Sequence, residues 1–230
     1  MGTYDWVRDL LFADPASATE ASYFIAFDTE TTGLEPKTNK IVEIGAVKFD
    51  RRGPISRFSV LINPRIPMPA EASKVNGITD AMLRNQPPLE AVLPDFLRFI
   101  DRGILVAHNA PFDMSFLNTA LYSYWKAAED RDNRTTNQLS LLDNPEQGEK
   151  DQIDSPVPLW KPPFPTLPHT VVDTRILAKE LIPGRYSYKL QDLAEYLQIK
   201  ALDAHRAEDD ARVCMEVFLK CAQLIPATHQ

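Results

Sequence analysis

The stretch YFIAFDTETTGL, residues 23–34, decides the fold of this chain. Its first five residues form a continuous apolar run, which is typical of a central β-strand covered on both faces. The run ends in Asp28-Thr29-Glu30, and residues two apart on a strand point to the same face. We therefore predict that Asp28 and Glu30 place two carboxylates side by side at the end of a buried strand.

The segments around this strand predict an α/β fold. Residues 41–49 and 55–62 alternate between apolar and polar, with a turn at 51–54, so the chain starts with three antiparallel strands. Helical periodicity then alternates with short apolar runs. The predicted helices cover 88–100, 112–128, 173–181, 190–197 and 207–224, and the predicted short strands cover 104–107 and 170–172. This order predicts a mixed sheet, three antiparallel strands and then two parallel ones, with helices on both faces.

Two segments do not fit this alternation of predicted helices and strands. Residues 1–22 are predicted to form a helical extension, whose Trp6, Leu10 and Leu11 pack either on the domain's own core or on a partner. Residues 126–169 hold seven of the 19 prolines and many polar residues, so we interpret them as an insertion, either a disordered loop or a lid. The remainder of 23–225 is expected to be one domain.

The composition excludes several classes of protein. A hydrophobic fraction of 44% with 25% charged residues excludes a disordered chain. The formal net charge of −7 argues against a protein that holds nucleic acid by bulk charge alone. Cys214 and Cys221 lie two turns apart on a predicted helix and cannot pair, which fits a reducing cytoplasm. No run of 18 apolar residues predicts a membrane span, and acids in the N-terminal apolar stretch argue against a signal peptide.

Three acidic clusters are candidates for chemistry. Two adjacent carboxylates such as Asp28 and Glu30 repel each other unless a cation lies between them, and oxygen ligands suit Mg²⁺ or Mn²⁺. Asp113 follows a buried strand at a helix start, where it either faces this pair or serves only the helix dipole. His205 and Asp210 flank the start of the last helix. Each motif alone also fits an ordinary solvated surface.

Taken in order, the motifs resemble the DEDDh class of 3′–5′ exonucleases. The residues that carry the likeness are FDTETTGL at 27–34, IVEIGAV at 41–47, VNGIT at 75–79, His108 to Leu117 and the His-x-x-x-x-Asp at 205–210. Within the class, the chain is similar to the proofreading epsilon subunits of bacterial DNA polymerase III and to the exonuclease domains of Gram-positive replicative polymerases. The likeness covers residues 23–125 and 169–224.

The resemblance implies an RNase H-like fold and a metal-dependent nuclease. It implies that Asp28, Glu30, Asp113 and Asp210 bind two divalent cations, Mg²⁺ or Mn²⁺, and that His205 is the general base. Two such cations would offset four of the surplus negative charges. The implied substrate is a single-stranded or frayed 3′ DNA end, and a replicative polymerase subunit is an implied partner. The implied substrate contacts are Thr31, Thr32, Gly33, Leu34, Asn76, Asn109 and Phe112.

The chain also departs from the family pattern, and other functions stay open. Asn76 stands where the family commonly has His, and the 126–169 insertion is longer than a simple connection. An RNA-trimming enzyme of the same class is one alternative, although residues 31–34 resemble the DNA proofreaders more. Another alternative is a non-catalytic, polymerase-associated scaffold, although a site that has lost its activity would not need to keep all five catalytic residues.

Overall fold

A computed structural model describes residues 3–12, 23–141 and 161–226, except for the side chains of residues 134–141. Its five strands are β1 (Phe24–Thr31), β2 (Ile41–Asp50), β3 (Gly53–Leu61), β4 (Ile104–Ala107) and β5 (Val171–Asp173). They form one sheet in the order β3-β2-β1-β4-β5. Antiparallel pairing joins β1, β2 and β3, whereas β4 and β5 run parallel to β1. The predicted mixed sheet is therefore confirmed.

The helices are α1 (Asp5–Phe12), α2 (Ala70–Asn76), α3 (Asp80–Leu83), α4 (Leu89–Ile100), α5 (Pro111–Leu141), α6 (Thr174–Leu181), α7 (Leu190–Tyr196) and α8 (Ala207–Leu224). The α2 and α3 helices lie in a part of the sequence for which we predicted no element. Among the described helices, none is both long and apolar enough to cross a membrane.

Both faces of the central strand are buried, as its apolar run predicts. Phe24 and Ala26 face one hydrophobic cluster, which includes residues of α1, α6, α7 and α8. Ile25 and Phe27 face the other cluster, which includes residues of α4 and α5. Because this alternation continues along β1, Asp28 and Glu30 belong to the face that α8 covers.

Within the predicted insertion, residues 126–169, the structure describes a longer helix than we predicted. The α5 helix does not end at residue 128 but continues to Leu141, because the sequence has no Gly or Pro between Phe112 and Asn144. Farther on, Leu167 is buried, and its backbone N–H donates to Asn118 Oδ1 at 2.8 Å. Residues 142–160, the middle of the predicted loop or lid, lie outside the described residues.

The N-terminal helix packs on the domain's own core. Val7 and Leu11 are buried in the cluster that α8 contributes to, and Leu10 packs against its edge. Trp6 stays 37% exposed. Of the two readings of this helix, the structure therefore bears out core packing for Leu10 and Leu11, while Trp6 lies at the surface.

Candidate active site

Three carboxylates meet where β1 ends against the first turn of α8. Asp28, Glu30 and Asp210 each offer an oxygen that lies within 4.8 Å of the other two. Asp28 and Glu30 share one face of β1, and Asp210 enters from α8 above that face. The sequence thus placed the first two together correctly, and the fold brings the third to them from 180 residues away.

A glycine on β2 allows α8 to come this close. A Cβ atom at Gly45 would lie 2.1 Å from the carbonyl carbon of Ala207 and 2.2 Å from the nitrogen of Glu208. No side chain fits at this distance, so only glycine lets the first turn of α8 rest on the sheet. Since Gly45 pairs with Asp28 across the two strands, this contact is next to the carboxylates.

Asp113 adjoins the cluster from the opposite side of the sheet. It lies in the first turn of α5, is 2% exposed, and is fixed by Thr29. The backbone N–H of Thr29 donates to Asp113 Oδ1 at 2.9 Å, and the Thr29 hydroxyl donates to the same oxygen at 2.7 Å. Asp113 also raises the pKa of Asp28 through its charge. Its charge also raises the pKa of Glu30, so the Asp113 carboxylate is within electrostatic reach of both acids of β1.

Without a cation, these acids favour their neutral forms. Burial is the main cause, and it raises the pKa of Glu30 to about 8 and that of Asp113 to about 7. Burial and then the charge of Asp113 raise the pKa of Asp28. Burial also raises the pKa of Asp210, although the N–H of His205 and the charge of its side chain oppose this. Such a set of buried, mutually repelling oxygens fits a divalent cation as its missing partner.

His205 lies on an exposed loop just before α8. Its backbone has a left-handed φ of 65°, and its N–H donates to Asp210 Oδ2 at 3.1 Å. Asp209 fixes the start of the same loop, because its Oδ2 accepts the backbone N–H groups of Leu202 at 2.7 Å and Asp203 at 2.8 Å. Asp209 thus helps to hold the loop that carries His205.

A groove of about 380 Å³ leads to the carboxylates. Six of the seven predicted substrate contacts line it, together with Thr29, Glu30, Pro69, Glu71, Ala72 and Val75; the six are Thr31, Thr32, Gly33, Leu34, Asn76 and Phe112. Leu34 is 84% exposed. Phe112 lines the groove and also packs on Phe116, with ring centroids 5.1 Å apart. Its ring therefore belongs to both the core and the groove.

Asn109 is not among the residues that line this groove. It has a left-handed φ of 66°, and its Oδ1 accepts a hydrogen bond from Arg175 Nη1 at 3.0 Å. Its backbone N–H donates to Asp173 Oδ1 at 3.1 Å. Asn109 thus shapes the turn that precedes α5, and its contact with a substrate stays a prediction. His108 is also structural, because its Nε2 bonds the carbonyl of Tyr188 at 2.9 Å.

Sequence reasoning missed three residues that support the site. Gln191 Nε2 donates to Asp210 Oδ1 at 2.8 Å. Glu43 pairs with Glu30 across β1 and β2, and its carboxylate accepts hydrogen bonds from Arg206. Gly45 admits α8. Glu43 and Gly45 lie in the stretch 41–47 that carries part of the family likeness, but nothing local indicates what their partners are.

The chain thus combines a mixed five-stranded sheet with a carboxylate cluster at the end of its central strand. A model of the family described as "Exonuclease" matches residues 25–152 and 156–218. The chain therefore belongs to the exonuclease family.

Known proteins of this kind are similar over most of the chain. The DNA polymerase III subunit epsilon of Treponema pallidum is 44% identical over 94% of this chain and 80% of its own length. A PolC-type DNA polymerase III of Caldanaerobacter subterraneus is 35% identical over 86% of this chain, which spans only 11% of that polymerase. The nuclease domain of 3′hExo, a DEDDh family member bound to rAMP, is 16% identical with a TM-score of 0.62 over 90% of this chain and 94% of its own.

Proposed function

We propose that this protein is a metal-dependent 3′–5′ exonuclease that removes nucleoside 5′-monophosphates from DNA 3′ ends. The observation that carries the proposal is the meeting of three carboxylate oxygens within 4.8 Å at the end of a substrate-sized groove. The resemblance to epsilon subunits supports the direction of digestion and the DNA substrate.

In this proposal Asp28, Glu30, Asp113 and Asp210 hold two divalent cations, Mg²⁺ or Mn²⁺. When bound, such a pair stabilises the charge on the attacking and leaving oxygens of phosphodiester hydrolysis. The protein's part is to hold its oxygens in place. Thr29 does so for Asp113 with two hydrogen bonds, and Gln191 does so for Asp210 with one.

His205 is the proposed general base. A neutral imidazole nitrogen can accept the proton of the attacking water. The exposed position of His205 and the bond from its backbone N–H to Asp210 support this role, because they place the residue beside the carboxylates.

The groove is proposed to hold the terminal nucleotide. The exposed side chain of Leu34 and the ring of Phe112 offer apolar surfaces against which a base can pack. The backbone of residues 31–33 offers polar groups to the sugar and phosphate. Because no base-specific pairing is required by such contacts, we expect little sequence preference.

The partners and location follow from the same relatives. A polymerase subunit is the proposed partner, since the relatives above 30% identity that are described here are DNA polymerase III proteins. A cytoplasmic location is proposed with it, and the two cysteines, both free and buried, agree with a reducing compartment.

Digestion of matched oligonucleotides tests the substrate. The protein should shorten a primer with a mismatched 3′ end faster than a fully paired one in Mg²⁺, because a frayed end reaches the groove without the cost of unpairing. An RNA strand of the same sequence should be shortened more slowly. Shortening of RNA alone would overturn the DNA substrate, and no shortening of any strand in Mg²⁺ or Mn²⁺ would favour the scaffold alternative.

A further inference from the structure

An ion pair between a partly exposed guanidinium and a buried carboxylate adjoins the loop that carries His205. Arg206 Nε donates to Glu43 Oε2 at 3.1 Å, and Arg206 Nη2 donates to Glu43 Oε1 at 2.8 Å. Glu43 is 1% exposed. Two parallel bonds between a guanidinium and a carboxylate fix both the distance and the orientation of the side chains.

The same carboxylate also receives the start of α8. The backbone N–H of Ala207 donates to Glu43 Oε2 at 3.2 Å. Glu43 and Gly45 share one face of β2, so one anchors the first turn of α8 and the other makes room for it. Three consecutive residues, His205 to Ala207, are thereby attached to the carboxylate cluster or to the strand beside it.

Arg206 would otherwise be taken for a phosphate contact, since it is the cation nearest in sequence to the proposed base. The geometry speaks against this function. Two of its three nitrogens bond Glu43, and the third, Nη1, lies 3.9 Å from Asp203 Oδ2. Turning the guanidinium toward a substrate would leave the Glu43 carboxylate buried and unpaired, which is strongly unfavourable.

We infer that Glu43 and Arg206 are positioning residues that hold the backbone of His205 beside Asp210 of the carboxylate cluster. The inference rests on the proposed function, in which His205 is the base. His205 adopts a left-handed backbone, a conformation that persists only where its surroundings enforce it. The bond from its own N–H to Asp210 fixes one side, and the Arg206–Glu43 pair fixes the other.

Steady-state kinetics with a single-stranded DNA oligonucleotide in Mg²⁺ separates positioning from binding. Glu43→Gln and Arg206→Gln should each lower kcat by about 10- to 100-fold, the loss expected when a reacting group is misplaced by about 1 Å, with KM changed less than about twofold. The double variant should be no slower than the worse single variant, because the two residues act as one unit. A rise in KM and in salt sensitivity for Arg206→Gln alone would make Arg206 a phosphate contact and overturn the inference.

Arg57→Ala is the matched control. Arg57 Nη1 lies 3.0 Å from Glu208 Oε1, so this pair also joins the sheet to the first turn of α8 and carries the same charges, but it is exposed. Arg57→Ala should leave kcat and KM within about twofold, since exposed ion pairs contribute little. An equal loss of kcat in Arg57→Ala would mean that breaking any ion pair between the sheet and α8 lowers kcat, and the inference would fail.

NMR of the histidine side chains reports on the surroundings of His205 independently of catalytic activity. The chain has four histidines, and His205→Gln assigns the signal of interest. In Glu43→Gln and Arg206→Gln the His205 Cε1–H signal should shift or broaden while the other three stay in place. An unmoved His205 signal in a variant that has lost kcat would overturn the inference.

Two further comparisons address a variant that does not fold and a wild-type protein that is inactive. If Glu43→Gln does not fold, Arg206→Lys takes its place, because it keeps the charge but not the two parallel bonds, and the same losses of kcat and the same NMR change are expected. An inactive wild-type protein in Mg²⁺ and Mn²⁺ would defeat the proposed function itself. An active wild type with unaffected variants would defeat only the role of the pair.

Discussion

The closeness of α8 to the sheet predicts that Gly45→Ala disables the site. An added Cβ would lie 2.1 to 2.4 Å from the backbone of Ala207 and Glu208, whereas ordinary contacts begin at 3.4 Å. The first turn of α8 must therefore retreat by about 1 Å, since neither partner is a flexible side chain. That turn carries Asp210 and follows His205, so both are displaced from Asp28 and Glu30.

Two magnitudes follow from this displacement. Overpacking of this kind costs about 1–3 kcal/mol of unfolding free energy, which thermal or urea unfolding measures. A displacement of about 1 Å at a reacting group costs about 100-fold in kcat, which digestion of single-stranded DNA in Mg²⁺ measures.

Gly53→Ala separates these two effects. Gly53 has a φ of 121° and no heavy atom within 4 Å of an added Cβ, so the substitution strains the backbone at the β2–β3 turn without moving α8. It should cost about 1–3 kcal/mol of stability and leave kcat within about twofold. A Gly45→Ala protein that keeps wild-type kcat would refute the claim that this contact positions the site.

Three further predictions follow from the charges and the groove. In EDTA, Asp28→Asn should raise the melting temperature, because burial and the charge of Asp113 raise the pKa of Asp28, so that the folded protein must hold a proton there that the amide does not need. Mg²⁺ should then raise the melting temperature less than in wild type, and an undiminished Mg²⁺ effect in calorimetry would contradict the cation site. In the metal-free folded protein, the pKa of Glu30 is about 8 and that of Asp113 is about 7, whereas the ordinary values, which apply to the unfolded chain, are 4.5 and 3.8. Between these values, both groups hold a proton in the folded state that the unfolded chain has released. The unfolding free energy should therefore fall as pH rises through that window, and urea unfolding in EDTA should show a shallower fall for Glu30→Gln. Leu34→Ala should raise KM for single-stranded DNA and change the unfolding free energy by less than about 0.5 kcal/mol. Ile55→Ala, which also shortens an exposed apolar side chain but lies on β3, should alter neither.

Much of this structure could be predicted because its signals are local. The apolar run before Asp28 indicated a strand covered on both faces, and α8 begins and ends at the predicted residues, Ala207 and Leu224. The extension of α5 was missed because the apolar stripe fades after Ala128 while helix-forming residues continue. The short helices α2 and α3 were missed because four to seven residues hardly show a period.

The site residues also divide into those that local sequence predicts and those whose partners are distant in sequence. Asp28 and Glu30 could be paired from spacing alone, since both lie on one strand. Glu43 could not be assigned, because its partner Arg206 lies 163 residues away in sequence and only the folded chain brings them together. The partners of Asn109 could not be predicted for the same reason: Arg175 and Asp173, which bond its side-chain oxygen and its backbone N–H, lie more than 60 residues away in sequence.

The most direct test of the central claim is product analysis on a 5′-labelled single-stranded DNA oligonucleotide. With Mg²⁺ or Mn²⁺, the wild-type protein should produce a ladder that shortens by one nucleotide at a time from the 3′ end and release nucleoside 5′-monophosphates. Asp28→Ala, and wild type in EDTA, should release none. Undiminished release by Asp28→Ala, undiminished release in EDTA, or products that carry a 3′-phosphate would contradict the account.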